Sequence, residues 1–164
     1  PSRLGSVYQR GNRLYDHVMP ALRALVAQGT ESPSFHIRHD AKSRLCVLRI
    51  DPQHSTLDRV NAGALLPLDR GAAGTIILAF DGDQNGDKYI SARQAYAAVS
   101  YGERDPDCAG IASPVFGADD KLVGALSVSG PKLRFTDDNV RKMTAQVMDA
   151  AQRVTFSLGG KAFG

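Results

Sequence analysis

With 164 residues, 43% of them hydrophobic, the chain is sized for one compact domain that buries roughly two thirds of its unfolded surface. No run approaches the ~18 consecutive apolar residues of a membrane span and no basic-then-apolar leader opens the sequence, so the expectation is a soluble, cytoplasmic protein. The net charge of +3 divides as ten Lys/Arg against six Asp/Glu over residues 1–70 and ten against eleven beyond, and there is no Trp, no aromatic-interleaved basic stretch and no helix-turn-helix pattern, so this chain is not expected to read DNA itself.

The opening segment, Ser2-Arg3-Leu4-Gly5-Ser6-Val7-Tyr8 after Pro1, reads as the interior of a longer polypeptide. Leu14, Val18, Leu22, Leu25 and Val26 then recur at three- and four-residue spacing up to Gly29, the pattern of an amphipathic helix with a C-terminal glycine. A start capped by Asp16 would place Pro20 in the first turn, where its missing N–H costs nothing, with another short helix before it. Residues 34–39 and 44–50, separated by Asp40-Ala41-Lys42-Ser43, carry the signature of a β-hairpin. Residues 65–74 read as a loop leading into a short buried helix over Thr75-Ile76-Ile77-Leu78-Ala79-Phe80, followed by a polar turn over 81–88 and a strand over 96–103.

Ile111 to Phe116 and Leu122 to Ser129 form the clearest β unit, two apolar strands joined by Gly117-Ala118-Asp119-Asp120-Lys121. In the last segment Val140, Met143, Val147, Ala150, Val154 and Leu158 share one helical face, behind a Thr136 N-cap with Asp137 and Asp138 in the first turn, and Gly159-Gly160 ends it. Helix, hairpin, loop and helix, strand, hairpin and long helix add up to a mixed α+β domain with a mainly antiparallel sheet.

Few of these residues can carry chemistry. Period-two geometry puts Ser127 and Ser129 on one strand face, roughly 7 Å apart. Covered, the two hydroxyls need partners that a ligand carboxylate or hydroxyl could supply; solvated, they need none. Gly71-Ala72-Ala73-Gly74 offers backbone N–H groups with little side-chain bulk at a helix N-terminus, suited to a small carboxylate or to plain close packing.

Asp81-Gly82-Asp83-Gln84-Asn85-Gly86-Asp87 imitates the first half of an EF-hand loop, but its twelfth position is Ala92 where a bidentate Glu belongs, so it reads as an acidic surface turn. His17, His36, His39 and His54 make no metal set, and His36 and His39 would face opposite sides of a strand. Cys46 and Cys108 have no metal spacing and read as partly buried thiols outside any disulfide. Glu103 with Asp105 or Asp107 could pair as carboxylates, yet no nucleophile stands beside a base and an orienting group, so no catalytic residue, metal or cofactor is expected.

The block Cys108-Ala109-Gly110-Ile111-Ala112-Ser113-Pro114-Val115-Phe116-Gly117, followed by Leu122-Val123-Gly124-Ala125-Leu126-Ser127-Val128-Ser129-Gly130-Pro131, resembles the paired strands of the effector domain of the IclR family of bacterial transcriptional regulators. Leu66-Pro67-Leu68-Asp69-Arg70-Gly71-Ala72-Ala73-Gly74 is similar to that family's loop before a short helix, and Ser2-Arg3-Leu4-Gly5 to its interdomain linker. The resemblance implies a GAF- or profilin-like fold, about six antiparallel strands flanked by helices, whose cavity binds a small organic acid or aromatic effector. It divides the chain into the end of a linker (1–13) and an effector-binding domain (14–164). It also implies a winged helix-turn-helix upstream as the only contact with DNA, and assembly into a dimer or tetramer.

Family ligand contacts carry over to Leu66, Ala72, Ala73, Gly74, Ser100, Gly110, Ser127 and Ser129. The sequence departs from the family at Asp69 and Thr75, where a His and a Lys are common, and at Ser100 and Gly110, where some members have an acidic residue and a cysteine. The stretch from Phe80 to Tyr96 is also short for the family. The competing reading is a stand-alone GAF-like module for a nucleotide or chromophore, for which Cys108 would be a remote attachment point.

Overall fold

A computed structural model describes residues 3–52, 62–82, 84–161 and 163, with 3–13 given by backbone alone; His54 lies outside the described residues. Strands β1 (Ser32–Arg38), β2 (Ser43–Arg49), β3 (Leu65–Pro67), β4 (Ala98–Tyr101), β5 (Cys108–Phe116) and β6 (Leu122–Pro131) form one sheet in the order β3-β2-β1-β6-β5-β4, every neighbouring pair antiparallel. The α+β expectation with about six antiparallel strands holds. The β1–β2 turn is tied by Asp40, whose Oδ1 accepts from Lys42 N, Ser43 N and Ser43 Oγ, each at 2.8 Å.

One face of the sheet is dry. Helices α1 (Arg3–Ala27) and α4 (Asp137–Ser157) cover it, packing Val18, Leu22, Leu25, Met143, Val147 and Val154 against Phe35, Ile111, Leu126 and Val128. Burying each side chain of this size contributes about 1.5–3 kcal/mol, so this layer dominates stability. The α4 stripe and its cap match the spacing: Thr136 accepts from Asn139 N at 3.3 Å.

Helix α1 corrects the expectation for the N-terminal segment. It runs unbroken from Arg3, and Pro20 lies inside it rather than in a first turn. The bond and space lost at an internal proline cost about 3 kcal/mol. The buried Val18, Leu22 and Leu25 offset it, while Pro20 itself faces solvent.

The opposite face is divided. Over β5 and β6 it carries α2 (Ala72–Phe80), whose residues 72–79 are all buried because the helix lies between the sheet and α3 (Asp87–Ala95). Four expectations are corrected here. Helix α2 starts at Ala72 rather than Thr75. The polar turn over 81–88 gives way at Asp87 to a helix that runs to Ala95, and the strand expected over 96–103 shrinks to Ala98–Tyr101. The loop ahead of α2 contains β3, held by pairing with β2.

Candidate functional site

The rest of that face, under the N-terminus of α2, is polar. Antiparallel partners share a face. One register row therefore runs Ser32, Ser129, Gly110, Ser100 across β1, β6, β5 and β4, and the next runs Arg49, Ser34, Ser127, Ala112, Ala98. A bulge at Val47 takes Cys46 opposite His36 while Arg49 stays opposite Ser34, so Arg44 and Arg49 reach the same side despite their odd spacing. Above this floor lies a cavity of about 450 Å³, counted to its open mouth.

Of the ligand contacts carried over from the family, Ala72, Ala73, Ser100, Gly110, Ser127 and Ser129 line the cavity, together with Gly71, Glu103, Asp105 and Cys108, which the sequence weighs on other grounds. Leu66 pairs in register with Arg44 on β3 and is not in the wall. Gly74 is not in the wall either; a Cβ there would stand 2.2 Å from Leu68 O, so glycine is required by the crossing of backbone over α2. Gly110 differs: a Cβ would meet nothing nearer than Val128 O at 3.5 Å, and its missing side chain is cavity space.

Sequence reasoning missed the cationic groups, Arg44, Arg49 and Arg104, and the part played by His36. Arg44 is 3% exposed, and its Nη1 donates to Pro67 O and to Arg70 O at 2.9 Å, clamping the chain that enters α2. Its Nε donates to His36 Nδ1 at 3.4 Å. That nitrogen must then be unprotonated, so His36 carries its hydrogen on Nε2 and points it at Ser34 Oγ, 2.9 Å away. Burial, then the nearby Arg44, Arg49 and Arg104, hold His36 well below the ordinary histidine range, so it is neutral. Burial and the proximity of Arg104 lower Arg44 to about 10, still a cation at neutral pH.

Among the described residues no carboxylate pairs with Arg44. Arg49 bonds Asp51 at 2.7 Å, Glu103 accepts from Gly71 N at 3.1 Å and stands 3.8 Å from Lys88 Nζ, and Asp105 accepts from Asp107 N at 3.0 Å. Three guanidinium cations in the wall against two carboxylates leave one positive charge in excess. The α2 N-terminus adds its partial positive charge, since Gly71 caps it without a side-chain acceptor.

A larger, more open depression beside Leu133, lined by Tyr101, Pro131 and Phe135, carries no buried charged group. Both cysteines are buried and outside any disulfide, and no group of three metal-ligating side chains occurs among the described residues. No described helix is long and apolar enough to cross a membrane.

Residues 90–156, from α3 through α4, match the family described as bacterial transcriptional regulator IclR C-terminal. Over that stretch the chain resembles the C-terminal domain of IclR-type regulators. The regulator KipR of Bacillus subtilis (strain 168) is 33% identical over 61 residues, 37% of this chain and 24% of KipR, so the matched stretch spans about a quarter of that curated relative. Among solved structures, the C-terminal domain of a transcriptional regulator from Vibrio cholerae is 28% identical with a TM-score of 0.75, covering 84% of this chain and 94% of that one. The Thermotoga maritima IclR shares the fold at 16% identity and a TM-score of 0.81, over 94% of this chain and 74% of its own. The family model and the curated relative that this chain resembles are both described as transcriptional regulators.

Proposed function

We propose that this chain is an IclR-type domain, the effector-sensing and oligomerising part of a cytoplasmic transcriptional regulator. Residues 1–13 end a linker from an upstream winged helix-turn-helix that makes the DNA contacts. The effector is a small organic acid carrying one carboxylate, bound between the α2 N-terminus and the row of serines. Arg44 carries this reading: a cation 3% exposed with no carboxylate partner among the described residues is a costly arrangement that an anionic ligand completes. Ser127 and Ser129 supply hydroxyls to the acid, and Ser100 and Gly110 set the depth of the floor. Leu66 and Gly74 act on the ligand through the clamp at Arg44 rather than by touching it.

The effector regulates by favouring one arrangement of paired subunits, which it can do only through unequal affinity for the two. The test is a thermal-shift panel of small aliphatic and aromatic carboxylates on this chain, followed by operator binding of the parent regulator with and without any hit. A ligand at ~100 times its Kd adds about 2.7 kcal/mol, or roughly 5–10 °C here. Loss of that shift in Ser129→Ala supports the site. A full panel without a hit overturns the acid reading, and operator affinity unchanged by a bound acid overturns the coupling.

A further inference from the structure

Among the described residues of the cavity wall, His36 alone is of a type that ordinarily titrates between about pH 5 and 8. The groups around it are mostly cationic. Arg44 and Arg49 face it from β2 and Arg104 from the turn between β4 and β5, where Glu103 and Asp105 also stand and Lys88 of α3 reaches Glu103. Cys46 lies opposite His36 in the register, and Cys108 opens β5. The first turn of α2 and strand β6 bring Ala72, Ala73, Ser127 and Ser129 to the wall, none of them ionisable. Burial and the three guanidiniums keep His36 neutral within the chain.

Neutral His36 and Arg44 satisfy each other. Nδ1 of the imidazole accepts from Arg44 Nε at 3.4 Å, while Nε2–H donates to Ser34 Oγ at 2.9 Å. Arg44 Nη1 is committed to Pro67 O and Arg70 O, so the clamp on the chain entering α2 and the bond to His36 occupy three of the guanidinium's five N–H groups. A carboxylate arriving at this pair finds Nε already used. One proton changes that. On a cationic imidazole Nδ1 becomes a donor, the bond from Nε must break, and two N–H groups then stand 3.4 Å apart with no acceptor between them. A carboxylate meets such a pair with both of its oxygens.

We propose that the cavity takes up its acid together with one proton, the carboxylate bridging Arg44 Nε and the Nδ1–H of a cationic His36. The proposal rests on the acid-binding reading of this cavity and adds its control by pH. Three guanidiniums oppose the extra positive charge until the carboxylate lies beside it, so proton and acid each favour the binding of the other. A proton held only in the complex makes affinity rise as pH falls, by up to about tenfold per unit. The rise spans the interval between the pH at which His36 titrates in the complex and the lower pH at which it titrates in the free chain. Small carboxylic acids are ionised above about pH 6, so their own protonation contributes nothing there. The domain thus answers to an acid and to acidification jointly.

The experiment is an NMR titration of the isotope-labelled chain with sodium acetate at fixed ionic strength, at pH 8, 7 and 6. Amide signals of Gly110 and Ser127 report occupancy, and the ring signals of His36 report its charge. The expected result is an acetate affinity at least tenfold higher at pH 6 than at pH 8, no such rise in His36→Gln, and a His36 ring that titrates at higher pH with acetate than without. An affinity indifferent to pH overturns the inference, as does a rise that survives in His36→Gln. Should that variant not fold, the wild-type ring decides: one that stays neutral at pH 6 in saturating acetate overturns it. Acetate that moves the amides and leaves the ring neutral removes this inference and keeps the acid reading. Acetate that moves neither also removes this inference, while the acid reading then rests on the wider carboxylate panel.

Discussion

Gly74→Ala is the substitution whose outcome the structure and elementary helix propensity predict with opposite signs. In a helix interior, alanine for glycine is worth about 1 kcal/mol in favour of the variant. At position 74 the added Cβ would lie 2.2 Å from Leu68 O, 2.9 Å from Leu68 C and 3.0 Å from Arg44 Nη1, and the first two are backbone atoms that cannot rotate away. An ordinary carbon–oxygen contact is about 3.3 Å, so α2 or the chain over 67–70 must retreat by about 1 Å.

That retreat overpacks the neighbours, at about 1–3 kcal/mol, and stretches charge-assisted bonds from Arg44 to Pro67 O and Arg70 O worth about 1.5–3 kcal/mol each. Net of the helix gain, a destabilisation of about 2–4 kcal/mol follows, or a fall in Tm of about 4–16 °C for a chain of this size. Differential scanning fluorimetry with urea titration at constant m measures it. An unchanged or raised Tm would refute the reasoning, because it would mean that α2 accommodates a methyl where the backbone crosses it.

Gly110→Ala should do the reverse: with no neighbour nearer than 3.5 Å it shifts stability by less than about 0.5 kcal/mol, yet puts a methyl on the cavity floor, so calorimetry should show weakened acid binding at an unchanged Tm. His36 is held below about 6.5, the value it regains on unfolding, so the unfolded chain takes up protons first and stability falls as pH drops through 6.5. Urea midpoints between pH 8 and 5 should show that loss and His36→Gln should flatten it; an imidazole NMR titration near 6.5 in the folded protein would contradict it. Thr136→Ala removes the α4 cap and should cost about 0.5–2 kcal/mol in urea unfolding, with Thr136→Ser restoring it.

What was legible in the sequence follows from where the physical signal is local. The α4 stripe and the β5–β6 hairpin repeat over many residues and are bounded by a cap or a turn, so period and composition agree. Helix α3 buries only Ala92 and has no apolar stripe, and its approach through glycines and aspartates imitates a turn. Helix α2 begins three residues early because an Ala-Ala-Gly first turn has the composition of a loop, and only its burial between sheet and α3 makes it helical.

Six of the eight residues carried over by resemblance converge on one cavity, but its arginines were invisible. Strict alternation along β2 separates Arg44 from Arg49. The bulge at Val47 reunites them, and no residue type announces a bulge. His36 was read only for metal binding: Ser34 stands two residues away on the same strand face, but Arg44 becomes its neighbour only when the hairpin closes.

The strand order carries a kinetic consequence. The site is laid across the junction of β1 and β6, where Ser34 meets Ser127 and Ser32 meets Ser129. These partners are roughly ninety residues apart in sequence, among the most distant pairings in the domain and expensive in loop-closure entropy. The hairpins β1–β2 and β5–β6 can each form early, but neither holds the site alone. A ligand therefore has nothing to bind until the two halves have joined. It should leave the folding rate nearly untouched and lengthen the lifetime of the folded state, so that its signature in a chevron plot is a displaced unfolding limb.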